Sequence, residues 1–510
     1  MFKLTVAAMG LAAIGLLHAI PAWAQKSKDT LRYAENDQYS VLNPYDFADE
    51  QASSIYSEIY SPLILVDELN HKILPELASA WRRVDDKTLE FDLRDDITLH
   101  SGKHFNADDV IAAVNYAIDP KVRIRSKNRY TWVASIEKLG PYKARVHMAE
   151  VFPLDLVTFS YRFVVEDSEV LKSLENQADY GRVSAASAGP YKLVSFDRNT
   201  GFQLERFDQL KIAHRRAPIQ HIQIVPVTDP QTQVAQLLTG GLDLITNVSE
   251  DNARELAKQK NVTVTPTKSG QYVYFMMDSI ARSGVKEFTD QRVRQAFVMA
   301  INRQEIATKV VPGGDKAGEV QNNLCYPFNA ACPDVKPPYA YDPAAAKKLL
   351  ADAGYPNGFD MTLYAHEPYK DVAVAIAGDL RKIGVRASVQ PMGIATYTKM
   401  REDGKLTTFV GIRPTSTSPE TIDIMEGFFE GSRDYWKDDL ILTALGNARK
   451  VADDRERAQV LKPALERNNE QAYVVPIASQ PWVYAHSAEL RIGENPQRPR
   501  IVHISDVFWK

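Results

Sequence analysis

The first two dozen residues constrain this chain most. Met1-Phe2-Lys3 is a short basic start, residues 4–17 are apolar, and Ala22-Trp23-Ala24 closes the run. That order predicts a secretory signal peptide over residues 1–24, cut after Ala24. The apolar run is short for a permanent membrane span, and no Cys stands at the cut to carry a lipid. The expectation is an exported, soluble protein of the periplasm. Such a chain folds where cytosolic ATP and NADH are absent, so capture, hydrolysis and adhesion are the open classes.

Size and charge narrow the field further. A single core does not grow to fill 510 residues, so two or three domains are expected. The formal net charge is −4, and −5 without Lys3. No basic stripe offers itself to nucleic acid or an anionic membrane. Beyond residue 24 no apolar stretch is long enough to span a bilayer. The two cysteines, Cys325 and Cys332, flank a short loop that contains Pro327. In an oxidising compartment they are expected to form a disulfide; the alternative is two free thiols. With no His beside them they make no zinc site. The ten His are scattered, and the i, i+4 pair His100 and His104 is interrupted by Gly102. No bound metal and no cofactor are expected, and any metal would arrive already chelated.

Hydrophobic periodicity indicates an α/β chain. Strands are predicted near 31–35, 88–93, 145–148, 222–227, 271–277, 385–389 and 474–478, and 191–196 with 201–207 reads as a hairpin. Helices are predicted over 50–65 up to Pro62, over 106–118 capped by Asn106, and from Thr289 with Val293, Ala296, Phe297, Ala300 and Ile301 as its stripe. Further helices follow Asp342-Pro343, span 372–383 and span 455–471. Helix and strand alternate in the second half, which implies α/β layers over a mixed sheet.

Several separate stretches resemble one family in the same order. They are Leu74-Pro75-Glu76-Leu77-Ala78-Ser79-Ala80-Trp81, the segment 85–102 with Leu93-Arg94 and His100-Ser101-Gly102, and Asn106-Ala107-Asp108-Asp109-Val110. Ala188-Gly189-Pro190-Tyr191, residues 238–244, DQRVRQAFVMAINR over 290–303, and 342–355 continue the series. Together they resemble the large solute-binding proteins of peptide/nickel-type ABC importers, the bacterial extracellular solute-binding protein family 5. The resemblance implies a two-lobed periplasmic-binding-protein fold with an extra domain inserted in the N-terminal lobe. Lobe I would take 25–50, 190–268 and 480–510, the inserted domain 51–189, and lobe II 269–479. It implies a monomeric, non-catalytic receptor that closes by a hinge on a peptide or other small solute and hands it to a membrane permease.

The resemblance also nominates ligand-binding residues. Peptide-binding members carry G-W-x-x-D-x-x-x-P in lobe II; here the spacing falls on Gly411 to Pro419, with Ile412 at the Trp position and Thr415 at the Asp position. Thr offers a neutral hydrogen bond but no charge for an ammonium group. Either the peptide mode is altered, or an acid nearby, Glu420 or Asp423, takes that role. Arg413 in the same loop is a fork for a carboxylate or phosphate, or else a solvated loop Arg. Arg401 falls where some peptide binders hold the ligand's C-terminus. Trp132 and Arg162 resemble positions used by nickel-chelate binders, with Arg129 beside them; Trp132 could equally be core. Tyr39, Tyr272 and Tyr274 are candidates for lining lobe I, although Tyr272 and Tyr274 share a strand face that could be core, and Trp482 and Tyr484, near the second return crossing, are candidates for the floor of the cleft. An opine, a glycoside or a metal chelate are alternative ligands. An exported hydrolase is the rival class, and a chaperone-like receptor a third. Neither G-x-S-x-G nor H-E-x-x-H occurs in the sequence.

Overall fold

The computed structural model describes residues 28–35, 43–45, 50–67, 72–122, 124, 127–174, 186–197, 199–215, 217–415, 420–493 and 502–510. The signal segment and Tyr39 lie outside the described residues. Three sheets organise the molecule. A mixed seven-stranded sheet runs in the order Tyr191–Asp197, Gly201–Arg206, His221–Pro226, Thr30–Glu35, Leu244–Ile245, Trp482–Ser487, Val262–Thr267. An antiparallel four-stranded sheet orders Ala78–Asp85, Thr88–Leu93, Lys143–Met148, Val133–Gly140. A five-stranded sheet orders Arg386–Met392, Asp360–His366, Thr408–Pro414, Gln271–Met277, Val474–Ser479. These sheets fall within the segments expected above for lobe I, the inserted domain and lobe II, the names used for them below.

The five-stranded sheet shows how sequence sets a layer. Every residue of Gln271–Met277 is buried, as a central strand covered on both faces requires. Its side chains alternate strictly. Val273, Phe275 and Met277 face one core, built with Phe297, Leu363 and Ile376. Tyr272, Tyr274 and Met276 face another, with Phe409, Phe428 and Trp436.

Helix starts follow local capping chemistry. Asn106 accepts the Asp108 N–H at 2.8 Å, and Asp109 accepts the Asn106 N–H at 3.0 Å, a reciprocal cap for Ala107–Ile118. Two expected boundaries differ. The helix expected from Thr289 spans Gln291–Ala300, because Thr289 ends a short 3₁₀ turn and the Asp290 carboxylate takes the Arg292 N–H at 2.8 Å. The helix expected to run towards Pro62 is Glu50–Ile59. Ser61 leaves the helix to bond the Ser187 hydroxyl at 3.1 Å and the Ala188 carbonyl at 3.0 Å, and Ser61–Pro62 pairs with Val164–Val165.

Cys325 and Cys332 are joined in a disulfide. The loop they close braces two parts of lobe II. Tyr272 donates its hydroxyl to the Leu324 carbonyl and Tyr326 to that of Gln271, both at 2.8 Å. Thr421 donates its N–H and hydroxyl to the Ala330 carbonyl at 3.1 and 2.9 Å.

Candidate functional site

Two antiparallel crossings join the lobes. Val262–Thr267 of lobe I continues through residues 268–270 into Gln271–Met277 of lobe II, and Val474–Ser479 returns through 480–481 into Trp482–Ser487. The crossings pair on both sides of the gap, with Thr267 opposite Trp482 and Tyr272 opposite Ser479. At the gap the Gln480 N–H donates to the Gln271 carbonyl at 3.0 Å. Thr415 donates both its N–H, at 2.7 Å, and its hydroxyl, at 2.6 Å, to the Gly270 carbonyl. The crossings are also tied to lobe II on either side of the gap, where Tyr326 bonds the Gln271 carbonyl and the Ser479 N–H donates to the Glu319 carbonyl, both at 2.8 Å.

Between the inserted domain and lobe II lies a cavity of about 450 Å³. Ligand cavities for small organic molecules run from roughly 300 to 1,000 Å³. One wall presents Arg129, Trp132, Phe152, Tyr161 and Arg162; the other presents Ile422, Asp423, Glu426, Gly446 and Arg449. Trp132 is 2 % exposed, stacks on Phe152 at 4.6 Å between ring centres, and donates its indole N–H to the Arg129 carbonyl at 3.1 Å. It is therefore both core and wall, and it fixes the short turn Lys127–Arg129 from which Arg129 projects.

The opposite wall is the helix Thr421–Phe429. It is tied down from several sides. Glu420, just before it, is paired with buried Arg457 at 3.0 and 3.1 Å. Arg413 donates to the carbonyls of Asp423 and Ile424 at 2.8 and 3.2 Å, and Arg401 to that of Gly427 at 3.0 Å. Both guanidiniums lie over Phe428, at 5.7 Å for Arg401 and 5.4 Å for Arg413. A Cβ on Gly427 would stand 2.7 Å from an Arg413 nitrogen, so glycine is what lets that guanidinium lie on the helix.

The charged residues of the cavity differ in how they are satisfied. Glu426 is held by Arg449 at 2.9 and 2.7 Å, and Arg449 also reaches Glu430. Glu150 and Lys450 are exposed at the rim. Arg129 and Asp423 are half-buried, and their side chains form no hydrogen bond or ion pair with the described residues. Burial pushes the Asp423 carboxyl above its ordinary value, opposed by the charges of Arg129, Arg413 and Arg449.

The nominated residues thus fall into groups. Arg129, Trp132 and Arg162 line the cavity together. Arg401, Arg413 and Tyr274 form a cluster behind the helix Thr421–Phe429, with the Tyr274 and Tyr397 hydroxyls 2.8 Å apart. Arg413 stands in the strand Thr408–Pro414, not in a loop. Ile412 packs against the lobe II core, and Tyr272 is fully buried in it. Thr415 is buried at the crossing. Trp482 and Tyr484 belong to the lobe I core. Sequence reasoning left the helices Thr421–Phe429 and Asp439–Ala448 unread, and with them Glu426, Gly446 and Arg449. The apolar stripe Ile441, Leu445 and Ala448 was the available signal for the second helix. The described residues hold no cluster of His, Cys, Asp and Glu suited to a metal ion. None of their helices is long and apolar enough to cross a membrane.

Two sheets joined by two paired crossings, with a cavity between one of them and the four-stranded sheet's domain, are the arrangement of a two-lobed binding protein. The sequence matches the model of the bacterial extracellular solute-binding proteins, family 5 Middle, over residues 72–436, and the chain belongs to that family. It is a solute-binding protein of an ABC importer and a binder rather than a catalyst. The glutathione-binding protein GsiB of Salmonella typhimurium is 25% identical over 503 residues, 94% of each chain. A dipeptide-binding protein of Pseudoalteromonas sp. SM9913, solved with Met-Leu, superposes with TM-score 0.76 at 21% identity, covering 94% of this chain and 100% of that one. NikA of Brucella suis, solved with Fe(III)-EDTA, gives TM-score 0.82 at 19% identity, covering 94% and 100%.

Proposed function

We propose that this protein captures a small polar organic solute bearing a carboxylate, buries it by hinge closure, and presents the closed form to a membrane permease. The observation that carries this reading is the cavity of about 450 Å³ whose walls come from the inserted domain and from lobe II. Contacts on both walls exist together only when the lobes are shut, so a ligand that uses both stabilises the closed state by its differential affinity. Arg129 and Arg162 supply guanidinium donors for a carboxylate, and Trp132 with Phe152 supplies an aromatic surface. Arg401 and Arg413 act behind the wall, holding the helix that faces the ligand. The Cys325–Cys332 loop braces the same helix through Ala330.

The relatives support a compact ligand of this kind. One is named for glutathione, one was solved with a dipeptide and one with a metal chelate. A peptide or peptide-like compound is the first reading for this chain, and an opine, a glycoside or a metal chelate the second. The test is to identify, by mass spectrometry after denaturation, the small molecule that co-purifies with the exported protein. That molecule is then added back during solution scattering and thermal melting. The expected results are a smaller radius of gyration, a melting temperature that rises with ligand concentration, and recovery of the ligand unaltered. Superimposable scattering curves at saturation refute closure, and a chemically altered ligand restores the hydrolase reading.

A further inference from the structure

We infer that Arg457, which lines no part of the cavity, is the positioning residue of its lobe II wall: one buried guanidinium holds the two stretches of that wall, 420–426 and 446–450, in a single register. The inference rests on the cavity being the ligand site, as proposed above, and adds the residue that sets the shape of one side of it.

The lobe II wall is built from two separate pieces of chain. Glu420, Asp423 and Glu426 come from the first half of the helix Thr421–Phe429 and the residue before it. Gly446, Arg449 and Lys450 come from the end of Asp439–Ala448 and the turn beyond it. Arg457 stands behind both, in the helix Asp454–Gln471, with its side chain 1 % exposed. One of its terminal nitrogens donates to both oxygens of Glu420, at 3.0 and 3.1 Å, and to Asp454. The other donates to the carbonyls of Val451 and Ala452 at 2.9 and 3.0 Å. The planar fork thus ties the residue that precedes the first helix to the turn that follows the second.

Other forces hold the two helices together without fixing their register. Ile424, Met425 and Phe428 of the first share a core with Ile441 and Leu445 of the second. Apolar burial is non-directional, whereas a guanidinium meets its acceptors in one plane and at fixed spacing. The Glu426–Arg449 pair spans the same two stretches on the cavity side, but its side chains are 32 and 42 % exposed, and water weakens such a pair. Glu420 is as deeply buried as Arg457, so a displacement that parted them would strand a charge out of water. Apolar side chains of equal volume would stabilise such a place at least as well; what they would not supply is direction. A wall held in place before the guest arrives removes an ordering cost that binding would otherwise meet.

The test uses the whole chain, hydrogen exchange read by mass spectrometry, and calorimetry with glutathione and Met–Leu as probes. Glu420→Gln combined with Arg457→Met removes both charges at once and strands neither. Both wall stretches should then exchange about tenfold faster, while the lobe II helix Gln291–Ala300 keeps its wild-type rate. A plain loss of stability would speed all of them alike. Arg457→Lys keeps a charge beside Glu420 but gives up the fork, so Thr421–Phe429 should stay protected and only 446–452 should loosen. Faster exchange spread evenly through lobe II, or wall exchange that does not change, overturns the role of Arg457. Equal loosening of both stretches in Arg457→Lys and in the double variant overturns it too, because charge alone would then suffice. The probes address the cavity separately. A probe that binds the wild type should bind the double variant about tenfold more weakly. A loosened wall with unchanged probe affinity keeps Arg457 as the positioning residue and overturns the reading of this cavity as the ligand site.

Discussion

The inserted domain meets the rest of the molecule along two seams, and they are built in opposite ways. Towards lobe I the seam is densely paired. Glu76 is fully buried and paired with Arg215 at 2.7 Å and His214 at 2.5 Å. Arg215 also donates to the Ser57 carbonyl at 2.9 Å, and Arg94 to that of Lys211 at 3.0 Å. Towards lobe II the seam encloses a cavity and two charges that have no partner among the described residues. The densely paired seam ties the inserted domain to lobe I by buried charge. A vacant seam leaves work for a guest.

The contrast is broken or upheld first by removing one charge from each seam. Glu76→Ala leaves Arg215 buried without its partner and should destabilise the apo protein by about 3–5 kcal/mol in urea unfolding. Asp423→Ala removes a carboxylate that pairs with none of the described residues, and its apo cost should stay below about 1 kcal/mol. Equal costs would show that the two seams are alike.

Acid titration separates the seams next. Burial alone would raise Glu76, but the Arg215 charge and the His214 bond outweigh it and hold the carboxyl at about 2. A depressed carboxylate contributes stability that is complete above its unfolded value of 4.5 and is lost as pH falls towards 2. Glu58, on the same seam, behaves oppositely. Burial raises it to about 7, against the pull of Arg215 and with the push of Asp506; Ser505 bonds it, and His503 stands 3.9 Å away. Its folded form keeps a proton that the unfolded chain releases near 4.5, so stability falls as pH rises from there to 7 and is level beyond. Each effect is worth about 3 kcal/mol at its limit. Glu58→Gln should therefore flatten the decline between pH 5 and 7 and leave the loss below pH 4 in place; an unchanged decline would remove Glu58 as its source.

What the sequence made legible was local. Asn106 and Asp109 cap a helix with atoms three residues apart, and the alternation in Gln271–Met277 sorts side chains onto two cores without reference to any other segment. The two-lobed fold was legible through ordered motifs, each weak alone. The disulfide was legible because its loop is short. The cavity was not, since its walls lie far apart in sequence and meet only through the folding of three sheets. Thr415 shows the limit most clearly. Its place in a motif suggested a ligand contact, yet its hydroxyl reaches Gly270, 145 residues earlier. No spacing rule reports which way a side chain turns at a crossing between lobes. The helix Thr421–Phe429 escaped for a different reason. Its first flanking residue, Glu420, makes no side-chain cap, because its carboxylate is committed to Arg457.

The crossing itself gives a smaller effect. Thr415→Val keeps the shape and the N–H bond to Gly270 but loses the hydroxyl bond, which should cost about 1 kcal/mol. Because that bond ties lobe II to the crossing rather than to the cavity, the change should appear in the scattering-derived balance of open and closed forms. Intrinsic contact with the guest should be preserved. A loss of affinity with no shift in that balance would return Thr415 to the ligand.

The smallest expected effect tests the vacancy directly. Gly446 lies within the helix Asp439–Ala448 on the cavity wall, and a Cβ there meets no atom within 4 Å. Glycine inside a helix is about 1 kcal/mol less favourable than alanine, so Gly446→Ala should raise apo stability by roughly that amount. One methyl group takes little of a cavity of about 450 Å³, and ligand affinity should change by less than about threefold. Stabilisation with retained binding means that the helix tolerates glycine only for the room it leaves. Stabilisation with a tenfold loss would place the guest against this wall at van der Waals contact, narrowing the vacant seam to the space between Gly446 and Arg129. A destabilised Gly446→Ala would mean that the wall is already filled, and the difference between the two seams would collapse.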